Sequence, residues 1–145
     1  MKTTLSREQN FALSLAAAWN RVERRLDSSL GAIRGISLAE YRLMKALGAA
    51  PNAQASRVDL AQTVGMTPSG VTRALRPMEK LGIVSTVKSK RDARLAIAAL
   101  TPAGREVLDD AGQVVNDSVR VCLERSPKAK ANIATLVDLL DDLAR

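Results

Sequence analysis

The chain has 145 residues, which suits one domain or one compact lobe with additional helices. Its 22 Lys and Arg against 15 Asp and Glu give a formal net charge of +7, which favours a polyanionic partner. The sequence has no histidine, one cysteine and 2% aromatic residues. An intrachain disulfide, a Cys/His zinc site and a histidine-based catalytic site are therefore excluded. Three aromatic residues also disfavour a stacking platform for single-stranded nucleic acid.

The first predicted element is a long amphipathic helix, because apolar residues recur every three or four positions near the N-terminus. Ser6 is a suitable cap for its start, and Gly31 and Gly35 are suitable ends. The apolar positions are Phe11, Leu15, Trp19, Val22, Leu26 and Leu30. We assign Trp19 to the core or to a subunit interface rather than to a ligand pocket.

Shorter elements follow in the middle of the chain. A second helix is predicted from the cap Ser37 to just before Pro51, and residues 51–55 are predicted to be a loop. A brief helix should end at Gly65, and Thr67 with the following proline is a strong start signal for another, which runs to about Leu81. Two short helices around a glycine turn are typical of a helix-turn-helix, which presents its second helix to a DNA major groove.

The outward face of that second helix has small residues near its start and basic residues further along. Its candidate DNA-binding residues are Thr67, Ser69, Gly70, Thr72, Arg73 and Arg76. Arginine can bond guanine through two hydrogen bonds, and hydroxyls can reach bases or phosphates. Pro77 lies inside the helix and has no amide hydrogen for the carbonyl of Arg73. It therefore predicts a kink, on which the direction of Arg76 depends.

A β-hairpin is predicted next, because residues 83–87 and 94–100 are rich in β-branched and alternating apolar residues around a charged turn. The candidate DNA-binding residues of this turn are Lys88, Lys90, Arg91, Asp92 and Arg94. The basic ones suit contacts to phosphates or entry into the minor groove, and a solvated charge run is the alternative. Residues 67–94 carry seven basic and two acidic side chains, whereas residues 106–145 carry eight acidic and five basic ones. This asymmetry predicts a basic working face and an acidic far side.

Two more helices are predicted at the C-terminus. Thr101 and Pro102 open a long one that extends to Cys122, and Ser126 with its following proline opens the last. Cys122 falls on an apolar stripe, which favours buried packing over a redox role. Together with the N-terminal helix, the last helix offers more apolar surface than one small lobe can cover, which predicts a dimer. The predicted dimerisation residues are Phe11, Leu15, Trp19, Val22, Ile133, Leu136, Leu140 and Leu143.

The ordered motifs of residues 6–143 resemble those of the MarR family of winged helix-turn-helix transcription regulators. They are Asp59-Leu60-Ala61, Met66-Thr67-Pro68-Ser69-Gly70-Val71-Thr72-Arg73, Met78-Glu79-Lys80-Leu81-Gly82-Ile83-Val84, Asp92-Ala93-Arg94 and Leu100-Thr101-Pro102-Ala103-Gly104. The resemblance implies an obligate homodimer with intertwined first and last helices, a recognition helix starting at Thr67, and a wing in which Asp92 orients a basic neighbour. It also implies that a small-molecule or oxidant signal is often, though not always, read by the same dimer.

The fold class expected from these observations is mainly α, with a small β-hairpin wing. We expect an N-terminal dimerisation helix at residues 1–36, a winged helix-turn-helix DNA-binding lobe at 37–100 and C-terminal dimerisation helices at 101–145. A cytoplasmic location is expected, since the sequence has neither a signal peptide pattern nor an apolar run near the ~20 residues of a membrane span.

The expected function is that of a sequence-specific regulator of transcription that binds double-stranded DNA. It would act as a homodimeric repressor on a palindromic operator and be released by a small-molecule effector. We expect no catalytic activity, cofactor, metal or membrane partner, because the sequence has no Gly-rich phosphate loop and no metal-ligand spacing. The alternative is a helical dimeric interaction module that uses its basic face on an acidic protein.

Overall fold

The computed structural model describes residues 4–92 and 95–145. Within these ranges it has seven α-helices and a three-stranded antiparallel sheet, which confirms the predicted fold class. The helices are α1 (Arg7–Arg34), α2 (Leu38–Ala49), α3 (Arg57–Val64), α4 (Pro68–Lys80), α5 (Pro102–Glu124), α6 (Pro127–Ala131) and α7 (Ile133–Leu143), and the strands are β1 (Gln54–Ser56), β2 (Val84–Lys88) and β3 (Ala96–Leu100).

Most helix starts follow the caps expected from the sequence. Ser6 and Ser37 each form a complete capping box, in which a side chain and a backbone amide exchange hydrogen bonds with the third helical residue. The hydroxyls of Thr67 and Thr101 accept from the amides three residues later. The helix α1 runs through Gly31 and ends at Gly35, whose φ of 66° is left-handed.

The predicted loop at residues 51–55 is wrong in part. A 3-10 turn at Pro51–Ala53 is followed at once by β1, which pairs antiparallel with β3, so the strand order is β1-β3-β2. Three residues are too few to show an alternating pattern. They form a strand because β3, more than 40 residues later in the chain, offers free backbone groups to pair with.

The predicted single C-terminal helix is also wrong. The chain leaves the helical region at Asn132 (φ −119°, ψ 22°), which separates α6 from α7. The side-chain nitrogen Nδ2 of Asn132 donates to the carbonyl oxygen of Lys128 at 2.8 Å. Asparagine side chains compete with the backbone for such carbonyls, so this residue ends one helix before the next begins.

The hydrophobic core lies around α2, α3 and α4, with the C-terminal half of α1, the N-terminal half of α5, β2 and β3 packed on it. Its fully buried large side chains are Leu30, Leu43, Met44, Leu47, Leu60, Val71, Leu75, Met78 and Val84. The root of the hairpin is fixed to α5, because the Thr101 hydroxyl donates to the carbonyl oxygens of Gly82 and Ile83 at 2.6 and 3.0 Å. Gly104 lies so close to Ile83 that a side chain there would clash with backbone.

The outer helices, which are α7 and the N-terminal half of α1, lie outside this core. No residue of α7, all of which the structure describes, is buried, and the N-terminal half of α1 is exposed. The predicted dimerisation residues Phe11, Leu15, Trp19, Ile133, Leu136, Leu140 and Leu143 are 41–63% exposed, whereas Val22 is half-buried against the core. Cys122 is also only half-buried, which corrects the expectation of buried packing. In the described part of the chain, no helix is long and apolar enough to cross a membrane.

Candidate nucleic-acid interface

The helices α3 and α4 form the expected helix-turn-helix. Gly65 turns the chain with a left-handed φ of 69°, and the amide of Met66 donates to the carbonyl oxygen of Ala61 at 3.0 Å. Arg42 of α2 adds a bond of 2.9 Å to the carbonyl oxygen of Val64, at the end of α3 where helical carbonyls lack partners. The buried side chains of Val71, Leu75 and Met78 fix one face of α4 in the core, so its opposite face is presented to solvent.

The outward face of α4 contains the residues predicted from the sequence. Thr67, Ser69, Arg73 and Arg76 are exposed, and Gly70 and Thr72 are half-buried. Two hydroxyls already serve the helix: that of Thr67 accepts from the amide of Gly70 at 3.0 Å, and that of Thr72 donates to the carbonyl of Pro68 at 3.1 Å. Among residues 4–92 and 95–145, the side chains of Ser69, Arg73 and Arg76 form no hydrogen bond or ion pair.

The helix α4 continues through Pro77 to Lys80, and the amide of Leu81 donates to the carbonyl oxygen of Pro77 at 3.2 Å. Arg76 is thus an exposed residue on the last two turns of α4. The kink expected at Pro77 stays a prediction.

The tip of the β2–β3 hairpin is organised by Ser89. Its hydroxyl oxygen accepts from the amides of Arg91 and Asp92 at 3.2 and 3.3 Å, and its own amide donates to the carbonyl of Leu95 at 3.1 Å. These bonds hold the turn while the predicted wing residues Lys88, Lys90, Arg91 and Asp92 are exposed. Arg94, the remaining predicted wing residue, lies outside the described residues.

The structure adds Glu79, which the sequence reasoning did not select. Its carboxylate oxygen Oε1 lies 3.3 Å from Nη2 of Arg57 and accepts a hydrogen bond of 2.6 Å from the hydroxyl of Thr86. Nη1 of the same guanidinium donates to the carbonyl oxygen of Ala96 at 3.4 Å. One available signal was charge, since Glu79 is one of two acidic residues in the basic segment 67–94.

Comparison with known proteins agrees with this geometry. Residues 34–95, which include α2, α3, α4 and β2, match the MarR family. The central part of the chain is therefore similar to the MarR family. Members of this family are transcriptional regulators and not enzymes. No curated protein sequence matches the chain.

Solved structures, among them MarR-family regulators, share the fold over nearly the whole chain. A regulator from Rhodococcus sp. RHA1 has a TM-score of 0.84 at 20% identity, covering 97% of this chain and 96% of the other. Sco3205 from Streptomyces coelicolor, solved in complex with DNA, has a TM-score of 0.79 at 24% identity, covering 99% and 92%. BpsR from Bordetella bronchiseptica, whose DNA binding is regulated by 6-hydroxynicotinic acid, has a TM-score of 0.81 at 15% identity, covering 98% of each chain.

The structure also has a cavity of about 540 Å³ between α1 and the junction of α5 with α6. Its floor is apolar, and three guanidinium groups line it. The lining residues include Arg21, Val22, Arg25, Val119, Cys122 and Arg125. None of these arginines forms an ion pair with a residue that the structure describes. Across the same residues, no cluster of three side chains suited to a metal ion is found.

A second cavity, of about 530 Å³, separates the N-terminal half of α1 from α7. It is lined by Phe11, Leu15, Trp19 and Leu140, with two alanines. Apolar side chains thus face one another across an open gap.

Proposed function

We propose that this chain is a transcription regulator of the MarR family, a homodimeric repressor that binds a palindromic double-stranded operator. The observation that carries the proposal is the two-sided character of α4. Val71, Leu75 and Met78 fix one face in the core, while the opposite face exposes Arg73 and Arg76. An exposed helix with small residues at its start and free guanidinium groups further along is suited to entering a major groove.

In this proposal α4 and the wing contact different parts of the DNA. Arg73 bonds a guanine through its guanidinium fork, and Arg76 with the side chains of Thr67, Ser69 and Thr72 contacts bases or phosphates. Gly70 leaves room for the DNA backbone to approach α4. Lys88, Lys90, Arg91 and Arg94 contact phosphates or the minor groove, while Asp92 orients a basic neighbour.

The homodimer is supported by the exposed apolar faces of α1 and α7. A second copy that covers Phe11, Leu15, Trp19, Leu136 and Leu140 would remove a large apolar surface from water. We therefore assign dimerisation to residues 1–36 and 101–145, and DNA binding to residues 37–100. A dimer with twofold symmetry presents two copies of α4, which is why the operator should be a palindrome.

The test is selection of bound sites from a random duplex pool, followed by binding of Arg73→Ala to the selected operator. We expect Arg73→Ala to weaken specific binding by about 1–3 kcal/mol and to relax base preference at one position in each half-site. Arg120→Ala is the control, because it removes the same charge from an exposed position on α5. Absence of salt-dependent duplex binding, with binding to an acidic protein instead, would favour the interaction-module alternative.

The wing requires its own test, which is a salt series on the same operator. Each phosphate contact releases condensed counterions, so Lys90→Ala and Arg91→Ala should each lower the slope of log affinity against log salt by about one per subunit. Asp92→Ala should weaken binding although it removes a negative charge. Unchanged slopes together with tighter binding of Asp92→Ala would contradict the proposed wing contact.

We further propose that a small organic acid binds in the 540 Å³ cavity and releases the operator. Its volume is within the range of ligand pockets, and an apolar floor with three arginines suits a carboxylate on an apolar body. The 6-hydroxynicotinic acid that regulates BpsR has this chemistry. With 6-hydroxynicotinate and benzoate as probes, we expect saturable release of operator from the wild type and reduced release from Arg25→Gln. Arg7→Gln, a variant outside the cavity, should respond like the wild type, and equal release from all three proteins would contradict this site.

A further inference from the structure

Glu79 joins three elements of the winged lobe through one carboxylate oxygen. It lies in the last turns of α4, yet its partners are Arg57 at the start of α3 and Thr86 in the middle of β2. Arg57 extends the chain of bonds to the carbonyl of Ala96, the first residue of β3. The recognition helix is therefore bonded to both strands of the wing.

These bonds extend to the point where the wing changes from three strands to two. At its root, the hairpin is held by the bond from the Ile83 amide to the Met78 carbonyl and by the bonds of Thr101. Beyond that root, β2 pairs with β3 out to Lys88 and Ala96, whereas β1 pairs with β3 only as far as Ile97, opposite Ser56. The part of the hairpin beyond Ile97 therefore has two strands, and a two-stranded hairpin is pliable without packing against another element. The bond from Arg57 to the carbonyl of Ala96 reaches the start of this two-stranded part.

The ion pair between Arg57 and Glu79 is also shielded from solvent. The two side chains are 21% and 32% exposed, so water screens their attraction less than on an open surface. A guanidinium has a rigid planar fork, and here its two nitrogens bind two different elements, α4 and β3. The pair is therefore a directional connection between the helix and the hairpin.

We propose that Glu79 is a positioning residue for DNA binding, which fixes the wing at the angle to α4 that lets both reach one duplex. This inference rests on the proposed function, since it assigns no DNA contact to Glu79 itself. Two rigidly joined contacts bind better than two loosely joined ones, because the cost of ordering the wing has already been met in the free protein.

Whether Glu79→Gln weakens or tightens operator binding distinguishes a positioning role from a purely electrostatic one. This substitution removes one negative charge from a basic DNA-binding lobe, and that alone should tighten binding to a polyanion. Loss of the ion pair with Arg57 instead releases the wing. We expect operator affinity to fall about fivefold and the salt slope to fall by about one per subunit, as wing contacts to phosphate are lost. A purely structural role would lower the melting temperature but leave the slope unchanged.

Thr86 provides a matched pair of variants. Thr86→Val keeps the shape of the side chain and removes the hydroxyl that donates to Glu79, so its slope should fall as in Glu79→Gln. Thr86→Ser restores the hydroxyl and should restore the wild-type slope. Glu106→Gln on α5 is the charge control, because it removes one exposed carboxylate away from α3, α4 and the wing.

Hydrogen exchange on the free protein makes the test independent of DNA. The amide of Ser89, which bonds to Leu95 across the hairpin, should exchange about tenfold faster in Glu79→Gln and Thr86→Val than in the wild type. The amide of Val71, in the buried part of α4, should keep its wild-type rate. Both variants should remain folded by circular dichroism.

The DNA-binding and hydrogen-exchange measurements together distinguish failure of the proposed function from failure of the positioning role. If the wild type binds no duplex but Glu79→Gln still loosens the wing, the proposed function is wrong and the mechanical role of Glu79 stands. If duplex binds and Glu79→Gln shows tighter or equal affinity with an unchanged slope, the positioning role is wrong. An unchanged exchange rate of the Ser89 amide would overturn the positioning role whether or not the wild type binds duplex.

Discussion

The winged lobe of residues 37–100 and the outer helices, which are α7 and the N-terminal half of α1, differ in how much of their apolar surface is buried within one chain. In the lobe, Leu43, Met44, Leu47 and Leu75 are fully buried. In α7, which has apolar residues at the same helical spacing, none is buried. Amphipathic helices are therefore not equivalent: one set buries its apolar face within the chain, and the other exposes an apolar face, which we propose that a second copy covers.

The helix α1 shows the same difference within one element. Its apolar stripe is continuous from Phe11 to Leu30, but Leu26 and Leu30 are buried against the lobe while Phe11 and Trp19 are exposed. The C-terminal half belongs to the lobe core and the N-terminal half to the proposed interface. A single helix thus connects the two regions.

The largest expected effect tests the open face directly. Leu140→Glu places a charge where we propose that two copies meet, and the symmetry of a dimer repeats that cost in each subunit. We expect the dissociation constant of the dimer to rise by about a hundredfold or more, measured by sedimentation. Asp138→Asn, on the polar face of α7, is the control. An unaltered dimer in Leu140→Glu would place the interface elsewhere.

The next effect tests the closed core. A methyl group on Gly104 would collide with the carbonyl oxygen of Ile83, which is backbone and cannot rotate away. We expect Gly104→Ala to lower the free energy of unfolding by about 2–3 kcal/mol, measured by urea denaturation. Gly31→Ala is the matched variant, since nothing lies within 4 Å of its added carbon and α1 is helical there. It should instead be stabilising by about 0.5–1 kcal/mol.

A smaller effect concerns the junction of the two regions. The carboxylate of Asp27 on α1 accepts from the amide of Leu38 at 2.8 Å, and that amide is the first of α2 and has no partner within its helix. Asp27→Ala should lower the free energy of unfolding by about 1 kcal/mol in thermal or urea melts. Asp27→Asn keeps an acceptor oxygen and should lose less. Equal losses in both would show that charge, rather than the hydrogen bond, matters at this junction.

The smallest effect tests strain inside the lobe. Ala53 has a φ of 52°, a left-handed value that is unfavourable for a residue with a Cβ, and it immediately precedes β1. Such strain persists only where surrounding contacts fix the chain. Ala53→Gly should raise the free energy of unfolding by about 0.5 kcal/mol, measured by urea denaturation. Ala50→Gly, at an ordinary extended φ of −74°, should lower it.

Local signals predicted much of this fold because the interactions behind them span only a few residues. A cap such as Ser37 bonds the amide of Glu40 three residues later, and Gly65 turns the chain by its own dihedral angles. The same kind of signal selected the outward face of α4, since helical spacing decides which residues lie opposite Val71 and Leu75.

The remaining features depend on residues that are distant in sequence. The strand β1 exists because it pairs with β3, and the bond between Arg57 and Glu79 joins positions 22 residues apart. No pattern within a window of a few residues contains such contacts, because they form only when the helices and strands have packed. The break at Asn132 is an exception, since its cause is a local hydrogen bond to Lys128.

Local sequence patterns thus predicted the helices up to α5 in order, the hairpin and the outward residues of α4. They also predicted that α1 and the C-terminal region have more apolar surface than one lobe can bury. Tertiary structure alone decided which half of α1 is buried, that a third strand joins the wing, and that Glu79 binds the wing to α4. The reason is the distance along the sequence between the residues that interact. Capping and periodicity act along the chain, whereas burial and strand pairing depend on which surfaces meet in space.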